Sequence, residues 1–276
     1  MRWLHFILSH SIFISFCAVA LCFQTNILLH IPHDKYVYGF ILFATMCSYN
    51  FYWLVSKYFF SRKMRIASFL RINFTYALMF VMAAAGMILF TSFLYDRLLY
   101  IVIAILLTLL YSLPLWPFRV FAFVHKAGFL KTTTLAFTWA YVTVIIPAVP
   151  GSLFSTGVLL LLVARFFFML MLCLIFDMRD ISVDKIHALR SLATDVSMKS
   201  LRLIMGIAFI MYIIAGMLLR YQSGDNEQLA AFIVTGIIVW MVYRASLKKQ
   251  GYIFYYFMVD GLMLLSSLGT YLASIS

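Results

Sequence analysis

The chain has 276 residues, 65% of them hydrophobic and only 11% charged, whereas a soluble domain carries roughly 25% charge, so a water-soluble globular fold is excluded. Lys and Arg outnumber Asp and Glu by 21 to 9, a formal charge of +12, but the basic residues are scattered between apolar stretches. That distribution reads as a set of topology signals, not as a nucleic-acid surface. The apolar stretches are continuous and long, unlike the short alternating strands of an outer-membrane barrel. The expected class is all-α: a polytopic membrane bundle in which residues 1–276 form one transmembrane domain.

At roughly 20 residues per span, the chain divides into nine, at about 4–29, 37–60, 72–95, 98–116, 129–149, 153–176, 201–219, 229–243 and 252–274. The first opens with Arg2 and carries Ala18-Val19-Ala20, which imitates a cleavable signal peptide. Apolar character continues through Ile27-Leu28-Leu29, so a retained helix is expected, with His10 as a hydrogen-bonded packing residue. The second contains Asn50 and ends in a basic loop with Arg62, Lys63 and Arg65. The fourth leads through Tyr111, Pro114, Pro117 and Arg119 to Lys131, at the start of the fifth. Arg165 lies midway along the sixth and Asp260 within the ninth, and charges at that depth pair or face a cavity. The four cysteines (17, 22, 47 and 173) lie inside apolar stretches, without zinc or disulfide-exchange spacing, and read as packing residues.

Placing the N-terminus in the cytoplasm puts 17 basic residues inside and three outside (Lys35, Arg97 and Arg220), leaving the C-terminus external. The long connections, 61–71 and 177–200, are then both cytoplasmic. Chemistry on an anionic group is expected at that face.

Three of the nine acidic residues, Asp177, Asp180 and Asp184, fall within eight positions at the end of the sixth span. On a helix Asp180 and Asp184 lie within about 60° of Asp177, and Asp177 and Asp184 are about 10 Å apart along the axis. Arg179 is expected on the opposite side. Like charges on one face need a neutraliser. One solution is a hard divalent cation such as Mg²⁺, which takes carboxylates together with substrate phosphates. The other is pairing of the aspartates with Lys185 and neighbouring arginines at an interfacial helix end.

Phe176-Asp177-Met-Arg179-Asp180-Ile-Ser-Val-Asp184 resembles the second aspartate motif of UbiA-type intramembrane prenyltransferases. Leu110-Tyr111-Ser112-Leu113-Pro114 and Gly128-Phe129-Leu130-Lys131 are similar to that family's Tyr-Ser-x-Pro and Leu-Lys elements. The motif-level likeness covers about 111–191. It implies nine spans and transfer of a polyprenyl group from an isoprenoid diphosphate to a lipophilic acceptor in the lipid bilayer, with the bacterial cytoplasmic membrane as the expected setting. It further implies that Asp177, Asp180 and Asp184 are catalytic residues holding Mg²⁺ and diphosphate, that Lys131 contacts the diphosphate, and that Tyr111 lines the site. Mg²⁺ and Lys would stabilise the leaving diphosphate, and aromatic faces the allylic cation.

The family's first motif, Asn-Asp-x-x-Asp-x-x-x-Asp, departs here: Asn50 stands, but Phe51, Leu54 and Tyr58 replace the three aspartates. The Gly-x-Lys-Thr element becomes Ala188-Leu189-Arg190-Ser191. A two-cluster metal site cannot be built. Either the remaining cluster binds one Mg²⁺ while Arg62, Lys63 and Arg65 neutralise the diphosphate, with Asn50 also on the substrate, or the fold binds a lipid phosphate or a membrane partner without turnover. A transporter has less support, because no pair of Gly/Pro-broken spans recurs at matching positions of two halves.

Overall fold

Inside a bilayer the backbone has no water to bond, so each apolar stretch satisfies its own N–H and C=O groups by becoming a helix. The computed structural model describes residues 2–60, 65–112, 128–151, 155–186 and 192–275, and these are helical, with no strand among them. In chain order the helices are α1 (Arg2–Ser9), α2 (Ile12–Leu28), α3 (Lys35–Phe60), α4 (Ile66–Ile72), α5 (Phe74–Thr91), α6 (Leu98–Ser112), α7 (Gly128–Ala140) and α8 (Ile146–Ala148). After them come α9 (Thr156–Ile186), α10 (Leu192–Asp195), α11 (Met198–Ser223), α12 (Asn226–Ser246) and α13 (Asp260–Ile275). π-helical turns join α7 to α8 (Tyr141–Ile145) and precede α13 (Phe254–Val259).

Among the described residues six segments are long and apolar enough to cross a membrane: Phe74–Thr91, Phe129–Ala148, Thr156–Ile181, Met198–Gln222, Asn226–Ser246 and Phe254–Ile275. A seventh counts if Trp3–Ser9 and Ile12–Leu28, bent by 64°, form one span. The protein is a multi-pass membrane bundle. The remaining two expected spans fall on α3 and α6. In α3 the tyrosines and Asn50 dilute the apolar character, and α6 has only 15 described residues.

The expected continuous first helix is broken. Ser11 sits at φ 63°, a left-handed conformation costly for a residue with a side chain, and α1 turns away from α2 there. His10 is buried as expected, with Nδ1 3.0 Å from the Phe6 carbonyl and its ring stacked on Tyr76 at 4.4 Å.

Packing against lipid gains little from the hydrophobic effect, so small residues and polar stitches hold such helices together. Gly39 of α3 receives the Phe90 ring of α5, and Gly86 of α5 receives Phe43 of α3, where a Cβ would come within 2.6 Å of the ring. Gln24 of α2 donates to Ser266 Oγ at 3.0 Å and Thr270 Oγ1 at 2.8 Å of α13. Proline breaks are repaired from outside. Pro147 offers no N–H to the Thr143 carbonyl, which accepts from Thr25 Oγ1 at 2.7 Å instead. Pro150 likewise leaves the Ile146 carbonyl, which accepts from Arg97 Nη1 at 3.2 Å, while Arg97 pairs with Asp34 at 3.3 Å.

Of the six segments, the one on α9 is the most enclosed and α5 the least. α9 is therefore the central post, with α7 and α11 against it. It continues past residue 176 to Ile186, so the aspartate motif is its last turns.

Candidate site at the start of α7 and the end of α9

Asp177 is tied to α7. Thr132 donates its hydroxyl to Asp177 Oδ2 at 2.5 Å and accepts from the Leu192 N–H at 3.3 Å. One buried threonine thus joins α7, α9 and α10. Lys131 precedes Thr132 and is half-buried. Cys173, one turn before Asp177, lies within electrostatic reach of Asp177, Lys131 and Asp260. Tyr111 lies in reach of Cys173 and Tyr49, and its ring stacks on Tyr52 of α3 at 5.4 Å. Three expected site residues, Asp177, Lys131 and Tyr111, therefore share one neighbourhood around Cys173.

Asp180 departs from expectation. Arg179 does not point to the opposite side: its Nε and Nη2 each donate to a different oxygen of Asp180, both at 2.7 Å. A 100° step between neighbours on a helix separates their Cβ atoms, but the long arginine stem folds back across it. The same guanidinium lies over the rings of Phe176, Tyr255 and Tyr256 at 5.0, 5.2 and 4.9 Å, contacts that hold it from three sides. Asp180 is thus neutralised by the protein. The side chain of Asp184 lies outside the described residues, as do Arg62 and Lys63.

Among the described residues no group of three His, Cys, Asp or Glu side chains comes together that could hold a metal ion. Asp180 has both oxygens on Arg179 and Asp177 accepts from Thr132, so the described donors do not fit a Mg²⁺ centre.

The altered first motif is filled by packing. Phe51 faces Phe80 at 5.7 Å, Leu54 is buried, and Tyr58 meets Phe69 edge-on at 5.3 Å. Lys57 donates to Asn73 at 2.8 Å and lies over Trp53 at 4.3 Å. Asn50 is buried and uses both amide hydrogens within the protein, on the carbonyls of His10 at 3.2 Å and Met46 at 2.8 Å.

Arg165 is buried and bonds to the backbone of α2. Its Nη2 donates to the Leu21 carbonyl at 3.3 Å, and no ion pair reaches it among the described residues. Beside it is a cavity of about 10 Å³, room for a single water, lined by Gln24, Phe168, Tyr212, Phe232 and Ser266. Thr132 and the cage formed by Phe176, Tyr255 and Tyr256 are the parts of the site that reasoning from sequence missed. The only available signal for Thr132 was its place next to Lys131.

No protein-family model matches the chain, and no curated protein matches it in sequence. Among solved structures it is similar to the apo structure of a UbiA homologue from Aeropyrum pernix K1. The TM-score is 0.67 at 13% identity, covering 95% of this chain and 98% of that one. The chain has the UbiA-type fold.

Proposed function

We propose that the protein is a prenyltransferase-like membrane protein that binds an isoprenoid diphosphate where α7 begins and α9 ends and passes its polyprenyl group to a lipophilic acceptor. The carrying observation is the Asp177–Thr132 bond beside Lys131, set in a bundle of UbiA type. In this reading residues 1–276 form one nine-span domain with a cytoplasmic N-terminus and an external C-terminus, as the 17-to-3 basic asymmetry favours. The site then faces the cytoplasm, in a bacterial cytoplasmic membrane. Lys131, Arg62 and Lys63 neutralise the leaving diphosphate, and Tyr111 walls the prenyl path. Asp177, Asp180 and Asp184 would take Mg²⁺ only if Asp180 exchanged Arg179 for the metal, so leaving-group stabilisation is assigned to the basic side chains. Asn50, with both amide hydrogens engaged, supports the bend between α1 and α2.

A second reading, binding of a lipid phosphate or a membrane partner without turnover, is favoured by the Arg179–Asp180 pair and by the aromatic filling of α3. The two separate in one experiment. Purified protein is incubated with isoprenoid diphosphates of several chain lengths and candidate acceptors, with and without Mg²⁺, and diphosphate release is followed. Release that disappears in Asp177→Asn supports transfer. Binding without release supports the second reading.

A further inference from the structure

Asp260 is only 4% exposed, and no hydrogen bond or ion pair reaches its carboxyl group from any described residue. Of the polar groups on neighbouring helices, Gln24 Nε2, Thr25, Thr143 and Ser267 donate hydrogen bonds within the bundle, while Oε1 of Gln24 has no partner. Unlike Nη1 of Arg165, the carboxyl oxygens are not among the fully enclosed unpartnered atoms. An ionisable group left so in a membrane interior marks a ligand position, because the bilayer penalises it without one.

Its placement is built. The π-helical turn Phe254–Val259 adds a residue to the helix just before it, a feature that recurs at functional sites. The same turn supplies Tyr255 and Tyr256, the rings over Arg179. Asp260 lies in electrostatic reach of Cys17 on α2, Tyr49 on α3 and Cys173 on α9, and of Arg179. Cys173 in turn reaches Asp177 and Lys131. The carboxyl group is therefore near residues of α2, α3 and α9, with Cys173 between it and the polar end of α9.

We propose that Asp260 is the binding residue for a lipophilic ligand bearing a hydroxyl group, which donates a hydrogen bond to the carboxyl while its apolar body lies among Tyr49, Tyr255 and the neighbouring side chains. That this ligand is the prenyl acceptor rests on the function proposed above; the site itself does not. A phenol suits it, being a flat neutral body with one donor.

The test uses the full chain in detergent with 4-heptylphenol, its methyl ether, and geranyl diphosphate as separate probes, reading thermal unfolding. The phenol is expected to raise the melting temperature by about 5 °C at a hundredfold excess over its Kd, and the ether, which cannot donate, by far less. Asp260→Leu should lose the phenol response and keep the geranyl diphosphate response. An unchanged phenol response in Asp260→Leu, or equal responses of the wild type to phenol and ether, overturns the proposal. Should Asp260→Leu not fold, a diazirine-bearing phenol photolysed with the wild type decides by peptide mapping. Labelling within 254–263 supports the site, and labelling confined elsewhere rejects it. A wild type that answers to phenol but not to geranyl diphosphate would keep this site and remove the diphosphate reading. The reverse response would remove this site alone.

Discussion

Helices α3 and α9 occupy the two places where the UbiA resemblance expects carboxylates, and they have diverged in opposite ways. α9 keeps its aspartates and holds each of the two described ones with a different device, a threonine hydroxyl for Asp177 and an arginine fork for Asp180. α3 has replaced its carboxylates with rings and a leucine, and its one lysine near them is held by Asn73 and Trp53. Polar side chains on α9 are available to a ligand at some cost in rearrangement. Those on α3 are part of the packing. The comparison teaches that, of the two helix segments the resemblance marks, one is filled by packing while the other keeps carboxylates tied to neighbouring side chains.

The strongest test of α3 as scaffold is Gly86→Leu. It drives a branched side chain into Phe43, already 2.6 Å from where a Cβ would stand, and should destabilise by about 3 kcal/mol. The measurement is thermal unfolding in detergent, and a stable variant would show that α3 and α5 can separate freely. On the α9 side, Thr132→Val removes the hydroxyl shared by the Asp177 carboxylate and the Leu192 N–H and should cost about 2 kcal/mol. Thr132→Ser should restore both stability and geranyl diphosphate affinity, which simple loss of packing would not predict.

Smaller effects sharpen the contrast. Lys57→Ala removes a hydrogen bond and a cation–π contact and should lower stability by about 1 kcal/mol while leaving geranyl diphosphate affinity unchanged. A fall in affinity would return α3 to the anion site. Asp180→Asn should change stability least, by ~0–1 kcal/mol, because the pair is partly exposed and Arg179 keeps its aromatic cage. Its effect on binding is the informative part. If the protein's own cations serve the diphosphate, the freed Arg179 leaves Mg²⁺-independent affinity equal or stronger. If Mg²⁺ is required, Mg²⁺-linked stabilisation disappears.

How far these features were legible varies with the distance over which they act. Span positions follow from apolar length, which is local, and among the described residues six apolar segments are long enough to cross a membrane. The break at Ser11 was not legible, because the apolar run passes through it and no glycine or proline marks it. Arg179 was misplaced because angular position on a helix describes Cβ atoms and not the end of a long side chain. The Thr132–Asp177 bond joins residues 45 apart, and nothing near either one announces the other. Asp260 stood out by its charge alone, but its lack of a partner is a property of the bundle.

The bond from Asn50 to the His10 carbonyl has a consequence for how loss-of-function variants of this chain are interpreted. Asn50 is the residue of the first motif that matches the family, and so the natural target for mutagenesis. Yet its removal strips a buried carbonyl of its donor at the 64° bend between α1 and α2. An inactive Asn50→Ala protein would carry a disturbed amino-terminal elbow, visible as faster amide exchange around residues 8–12 and quicker proteolysis near Trp3. With that signature present, the lesion belongs to the elbow; the ligand would still meet an intact α7 and α9.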